Sequence, residues 1–266
     1  FYNLDKDLLK KQIEFIFFKH KFSPKEIKED DFRVCIVPHA GYEYSGPIAA
    51  HVYSIIKKAN YLIIGPNHYG IGPTFSIFSK GIWKTPFGEV EIDENSAKTL
   101  MKSYPKLVFD ILAHENEHSI EVQLPILQYR FDSNFKIIPI SVLNEFPTKG
   151  FLEDCKELAS IITKFLKERE DYILIASSDL THYLEYNECV RKDNLTIKKI
   201  LDLNEEKFFE FLNLEKVNAC GFGPICIAMI VAKNLGLKGI LLKYANSGDV
   251  TGDITLNVGY PAIIFK

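Results

Sequence analysis

Three apolar runs in this chain break directly into turns that carry histidine: FRVCIV into PHAGYEYSG with His39, YLIIG into PNHYG with His68, and YILIA into SSDLTHY with Asp179 and His182. Neutral imidazole is the commonest metal ligand and the usual general base near neutral pH, so both chemistries are open to these rings. A single loop histidine is more often structural than functional. Three of the seven histidines in the same relation to a strand-like run point to one shared pocket. Cys220, in NACGFGPICIAMIV, is a fourth candidate donor. Gly221 and Gly223 permit a tight turn and Pro224 suits the first position of a helix, which places Cys220 near a helix N-terminus. There the macrodipole favours thiolate, the form that binds metal or attacks an electrophile. On its own residues, Cys220 reads equally well as a ligand and as a plain turn residue. Cys226, inside the same helix, and Cys35, inside a strand run, read as small core residues.

A further cluster is HENEHSIEVQLPILQYRF, where His114, Glu115, Glu117, His118 and Glu121 precede an amphipathic helix interrupted by Pro125. Glu117, His118 and Ser119 suit a helix N-terminus, and capping accounts for His114 and Glu115 as well. His118 is expected to stand behind a metal-bound ring, because such imidazoles need a hydrogen-bonding group at their far nitrogen. The backbone amides that follow His39, around Tyr42, Tyr44, Ser45 and Gly46, suit an anion or a substrate oxygen. The stretch YANSGDVTGD (244–253) has the composition of successive turns and lacks EF-hand spacing, so it reads as a surface loop. No GxGxxG, Walker A, HExxH or GxSxG pattern follows a suitable strand, which leaves nucleotide, zincin and serine-hydrolase readings without a motif.

The elements that must position these residues follow from periodicity. Runs rich in Ile, Val and Phe at 32–37, 61–65, 136–142, 172–176, 239–244 and 258–265 predict strands, and helical spacing predicts helices over 4–19, 46–59, 94–103, 118–131, 150–169, 188–202 and 224–235. This alternation implies βαβ units, and the near-continuous apolar runs suit strands covered on both faces. The predicted architecture is α/β: a three-layer sandwich about a central, largely parallel or mixed sheet, with an antiparallel hairpin at 81–93. In open sheets of this kind ligands bind beyond the carboxyl ends of the strands, where the histidine turns lie. With no Ser/Gly/Pro-rich linker or repeat, residues 1–266 read as one domain.

Composition narrows the partners. The net charge of -3 comes from interspersed signs, with no basic block for nucleic acid. Five widely spaced cysteines form no CxxC pair, which fits a reducing cytoplasm better than a disulfide framework. Charges interrupt the apolar residues of the opening segment, and no run is long enough for a membrane span, so a soluble protein without a signal peptide is expected.

The motifs PHAGYEYSGPIAAH, IGPNHYG, PFGEVEID, ENEHSIEVQLP, SSDLTHY, NACGFGPI and YANSGDVTGD, in this order, resemble the Memo family, whose prokaryotic members are often called AmmeMemoRadiSam system protein B. The resemblance extends from about residue 33 to the C-terminus. The family is similar in fold to class III extradiol ring-cleaving dioxygenases, which implies a non-haem metal pocket at His39, His68 and Cys220, lined by His182 and Asp179. Those dioxygenases use a carboxylate as third ligand; cysteine in its place is softer, favours Fe(II), Cu(I) or Zn(II), and puts catechol cleavage in doubt.

Three functions are then in competition. The first is a metal-dependent redox enzyme, with iron(II) as first choice and copper or zinc as alternatives, in which His182, oriented by Asp179, shuttles protons and His118 assists. The second is a binding protein that uses the same pocket for a peptide or small ligand without turnover, as the resemblance to eukaryotic Memo suggests. The third is cysteine-based hydrolysis or transfer with Cys220 as nucleophile and His39 or His182 as base. Help to a radical SAM protein of the same system is a further role the resemblance implies.

Overall fold

The computed structural model describes residues 1–19, 32–144 and 146–266. In chain order, α1 (Lys6–Lys19) is followed by β1 (Val34–Val37), α2 (Gly46–Tyr53), β2 (Asn60–Pro66) and β3 (Phe75–Ile77). A hairpin of β4 (Ile82–Thr85) and β5 (Gly88–Ile92) leads to α3 (Glu94–Ser103), β6 (Leu107–Phe109) and the single turn α4 (Leu112–Glu115). A 3-10 turn (Glu121–Gln123) runs into α5 (Leu124–Phe131), then β7 (Lys136–Val142), the long α6 (Lys149–Glu168) and β8 (Tyr172–Ser177). The remainder holds β9 (His182–Leu184), α7 (Tyr186–Leu201), α8 (Glu205–Glu215), α9 (Phe222–Asn234), β10 (Gly239–Asn246), α10 (Gly248–Thr251) and β11 (Asn257–Phe265).

The sheet runs β10-β11-β1-β8-β2-β7-β3-β6, and off this path β5 pairs with β7, β4 with β5 and β9 with β11. Its centre is parallel: β8 lies between β1 and β2, and β2 pairs with β7. Antiparallel β11 and β3 flank that centre, so the sheet is mixed. Parallel strands of one sheet need crossover connections, which α2 supplies from β1 to β2 and α6 from β7 to β8, each crossover skipping one strand position. Alternate side chains of each strand enter opposite cores. Val34, Ile36, Leu62, Ile64 and Leu174 pack on the face of α3, α6, α8 and α9, whereas Cys35, Val37, Tyr61, Ile63 and Ile173 pack on the face of α1, α2 and α5. Two covered faces explain why these strands read as unbroken apolar runs.

α6 shows how one helix is specified. Thr148 caps it by accepting the Phe151 amide, and Leu152, Cys155, Leu158, Ala159, Ile162 and Leu166 form its buried stripe. α9 is apolar on nearly every side because α6, α7 and α8 cover what the sheet does not. The predicted helix over 118–131 begins instead at Leu124, with Pro125 in its first turn where a missing N–H costs no bond. The predicted 46–59 helix stops at Tyr53, and α8 and the three-residue strands β3, β6 and β9 were not expected from the pattern. Among the described residues no helix is long and apolar enough to cross a membrane. His39, His68 and the Ser177–His182 turn all leave the carboxyl ends of adjacent parallel strands, β1, β2 and β8.

Candidate functional site

His39 is the hub of the site. Its backbone amide donates to Asp179 Oδ1 at 2.9 Å, and its ring Nδ1 lies 2.8 Å from Ser177 Oγ. The other ring nitrogen, Nε2, faces Cys220 Sγ at 3.3 Å and Asp179 Oδ2 at 4.0 Å. Burial, reinforced by the nearby rings of His68, His118 and His182, holds its pKa well below the ordinary histidine value. His39 is therefore a neutral ring at physiological pH.

His68 is backed by a carboxylate. Its Nδ1 lies 2.9 and 3.1 Å from the two oxygens of Glu117, and its backbone amide donates to Oε2 at 2.6 Å. Burial pushes the Glu117 carboxyl up, but hydrogen bonds and charge from His68 and the Ser119 amide outweigh it and bring the pKa down to about 2. An ionised Glu117 can only accept, so Nδ1 of His68 carries a proton and Nε2 is the ring nitrogen left for a ligand. This is the carboxylate–histidine pairing that orients metal ligands. The support behind a metal-competent ring that the sequence suggested for His118 is supplied by Glu117, which also accepts the Ser119 amide. His118 Nδ1 is 3.6 Å from Glu117, beyond hydrogen-bond length, and its ring stacks between Phe1 at 4.0 Å and His68 at 4.7 Å. Burial depresses its pKa to about 4.

Cys220 sits in the turn before α9, against the backbone of β8. A Cβ on the next residue, Gly221, would stand 2.7 Å from the Ser177 carbonyl oxygen, so only glycine permits this approach. The Asp179 amide donates to the Cys220 sulfur at 3.3 Å, and Asn144 donates to its carbonyl at 2.7 Å. The expected lowering of the thiol pKa by the helix terminus is not realised: burial first, then the Asp179 charge, push it up. Burial likewise raises the Asp179 carboxyl to about 7, against the hydrogen bond from the His39 amide, which suits it to proton exchange near neutrality. Asp179 does not orient His182, contrary to expectation. In the tight β8–β9 turn the nearest acceptor for His182 Nδ1 is the Leu180 carbonyl at 2.8 Å, while Asn218 holds the His182 amide and carbonyl.

Among the described residues, two donor groups share His39: His39 with His68 and His118, and His39 with Asp179 and Cys220; within each, the ligand atoms lie within 4.8 Å of one another. The predicted trio of His39, His68 and Cys220 thus spans both groups. His68 and His118 are stacked at 17°, whereas His39 stands near-perpendicular to each. His118 lies beside the predicted trio, close enough to His39 and His68 to share a cation with them or to exchange protons with groups held there. Sequence reasoning missed Glu117, Ser177 and Asn218 in their supporting roles; a carboxylate beside a histidine in ENEH was the available signal for the first, and the other two carry none.

Residues 1–264 match the family model described as Memo-like protein. A protein of Sulfurisphaera tokodaii described as a MEMO1 family protein is 42% identical over 278 aligned positions, spanning 100% of this chain and 96% of the relative. A MEMO1 family protein of Methanopyrus kandleri is 37% identical over 277 positions with the same coverage of both chains, 100% and 96%. Among solved structures, an uncharacterized protein of Escherichia coli K12 superposes with a TM-score of 0.58 over 86% of this chain and 99% of its own, at 11% identity, a likeness of fold.

Proposed function

This chain belongs to the Memo-like protein family, and from its donor geometry we propose that it is a metal-dependent redox protein related to the extradiol dioxygenases, with His39, His68 and Cys220 as ligands. The observation that carries the proposal is the convergence of the neutral His39 Nε2 on the Cys220 sulfur at 3.3 Å, beside a His68 whose far nitrogen is fixed by Glu117. Two imidazoles and a thiol suit iron(II), copper or zinc, and the resemblance to the extradiol dioxygenases puts iron(II) first. Bound iron or copper would supply one-electron redox chemistry.

The protein's own groups then have distinct tasks. Glu117 keeps the proton on Nδ1 of His68. Asp179, near its midpoint at neutral pH, and the neutral rings of His118 and His182 accept and return protons around the ligands. The substrate is a small molecule or peptide, and a radical SAM protein of the same system is the proposed partner. Cysteine nucleophilic catalysis is disfavoured, because burial raises the Cys220 thiol and lowers the His39 ring, so both shifts keep the proton on sulfur.

The test is metal content after anaerobic purification, by mass spectrometry, in wild type and in Cys220→Ala. Retained iron or copper near one equivalent, falling at least about tenfold in the variant while the unfolding midpoint is kept, is the expected result. Folded wild-type protein that takes up neither Fe(II), Cu(I) nor Zn(II) overturns the reading.

A further inference from the structure

We propose that Ser177, its hydroxyl proton held by the Ser119 carbonyl, is the positioning residue that fixes the tautomer of His39, so that its Nε2 lone pair faces the Cys220 sulfur. The inference deepens the metal reading above but its geometry stands on buried hydrogen bonds alone.

Ser177 Oγ has three close neighbours: the Ser119 carbonyl at 2.7 Å, Gln123 Nε2 at 3.0 Å and His39 Nδ1 at 2.8 Å. A hydroxyl has one proton and two lone pairs. The Ser119 carbonyl can only accept, so it takes the hydroxyl proton. Ser177 must then accept from both Gln123 and His39, which requires hydrogen on Nδ1 of His39.

The direction of the Gln123 amide is fixed in the same way. Its nitrogen lies 3.0 Å from the Pro38 carbonyl, another obligate acceptor, and its oxygen accepts the Tyr53 hydroxyl at 2.6 Å. Flipping the amide would set oxygen against the Pro38 carbonyl. Burial holds the Tyr53 phenol well above its usual range, so it remains a donor. Tyr53, Gln123, Ser119 and Ser177 are all essentially inaccessible, so water cannot substitute for a missing partner. Two backbone carbonyls, Pro38 and Ser119, thus set the polarity of a chain running Tyr53 to Gln123 to Ser177, with His39 as its last donor. The opposite tautomer would place lone pairs of Ser177 and Ser119 against each other at 2.7 Å.

Long-range 15N NMR of the histidine rings in metal-free protein tests this. Wild type should show His39 Nδ1 as pyrrole-like and Nε2 as pyridine-like. Ser177→Ala removes the acceptor and should give mixed or reversed tautomers, with Zn(II) affinity by chelator competition falling about 10- to 100-fold; Gln123→Leu leaves the Ser119 carbonyl holding the Ser177 proton and should keep the wild-type tautomer. Hydrogen on Nε2 of His39 in wild type overturns the proposal without any variant. So does a His39 tautomer unchanged in folded Ser177→Ala, or one reversed in Gln123→Leu. If wild type shows the stated tautomer yet binds no Zn(II), Fe(II) or Cu(I), the metal reading fails and the positioning of His39 stands.

Discussion

Replacing Glu117 by Gln isolates the value of one buried charge. Glutamine copies the shape of the protonated acid, so the difference between wild type and Glu117→Gln is what ionisation contributes. In the folded protein the carboxyl has a pKa of about 2 against an ordinary 4.5, with His68 and the amides of His68 and Ser119 as the partners that hold it ionised. At about 1.4 kcal/mol per pKa unit, the charge stabilises the metal-free fold by about 3 kcal/mol at pH 7. The sign follows from proton uptake. A depressed carboxyl pKa gives stability that is present above the unfolded value of 4.5 and lost as the pH falls toward 2. The gap between wild type and variant should therefore shrink to roughly 1 kcal/mol at pH 3. Urea unfolding of both metal-free proteins, followed by far-ultraviolet circular dichroism from pH 7 to pH 3, measures it. A gap under about 0.5 kcal/mol at pH 7, or one that does not narrow with acid, refutes the argument that this carboxylate is held by specific partners.

His114 provides the complementary case: burial brings its pKa down from 6.5 to about 4, so the unfolded chain takes up the proton first and about 3 kcal/mol of stability is lost as the pH falls from 6.5 to 4. His114→Gln should flatten that part of the stability profile, and an unchanged acid slope in matched urea titrations would count against it. At Gly259 a Cβ would meet Asp193 Oδ2 at 1.7 Å, in the network where Asp193 accepts from the Thr181 amide and hydroxyl and from Tyr244. Gly259→Ala should cost about 3 kcal/mol or more, read as a drop in thermal midpoint or loss of soluble protein; a midpoint within a degree of wild type would show that α7 and β11 separate easily.

The parts of the molecule that rest on repetition were legible in the chain. The run 136–142 is β7 residue for residue, and the histidine turns after 32–37, 61–65 and 172–176 do meet at one end of the sheet, because parallel strands place their carboxyl ends together. What was not legible is which groups stand behind the rings. Glu117 and His118 occupy a short irregular stretch where no period assigns directions, and the choice of Glu117 for His68 is made by the packing of Ser119 against Gly65. The thiol of Cys220 was misjudged for a similar reason: the helix terminus is local and visible in the sequence, whereas the burial that outweighs it comes from β8, far away along the chain.

The route of the chain through the sheet has a kinetic consequence. His39 and Cys220, whose reactive atoms face each other, are separated by 181 positions, and the groups on Ser177 and Asp179 arrive on a strand inserted between β1 and β2. Contacts of such separation form only after large loops have closed, so no fragment ending before Cys220 can assemble the pocket, and nucleation has to occur in the hydrophobic layers without help from the donors. The pocket is a late product of folding. Capture of a cation by this chain would therefore report that the entire sheet has been threaded correctly.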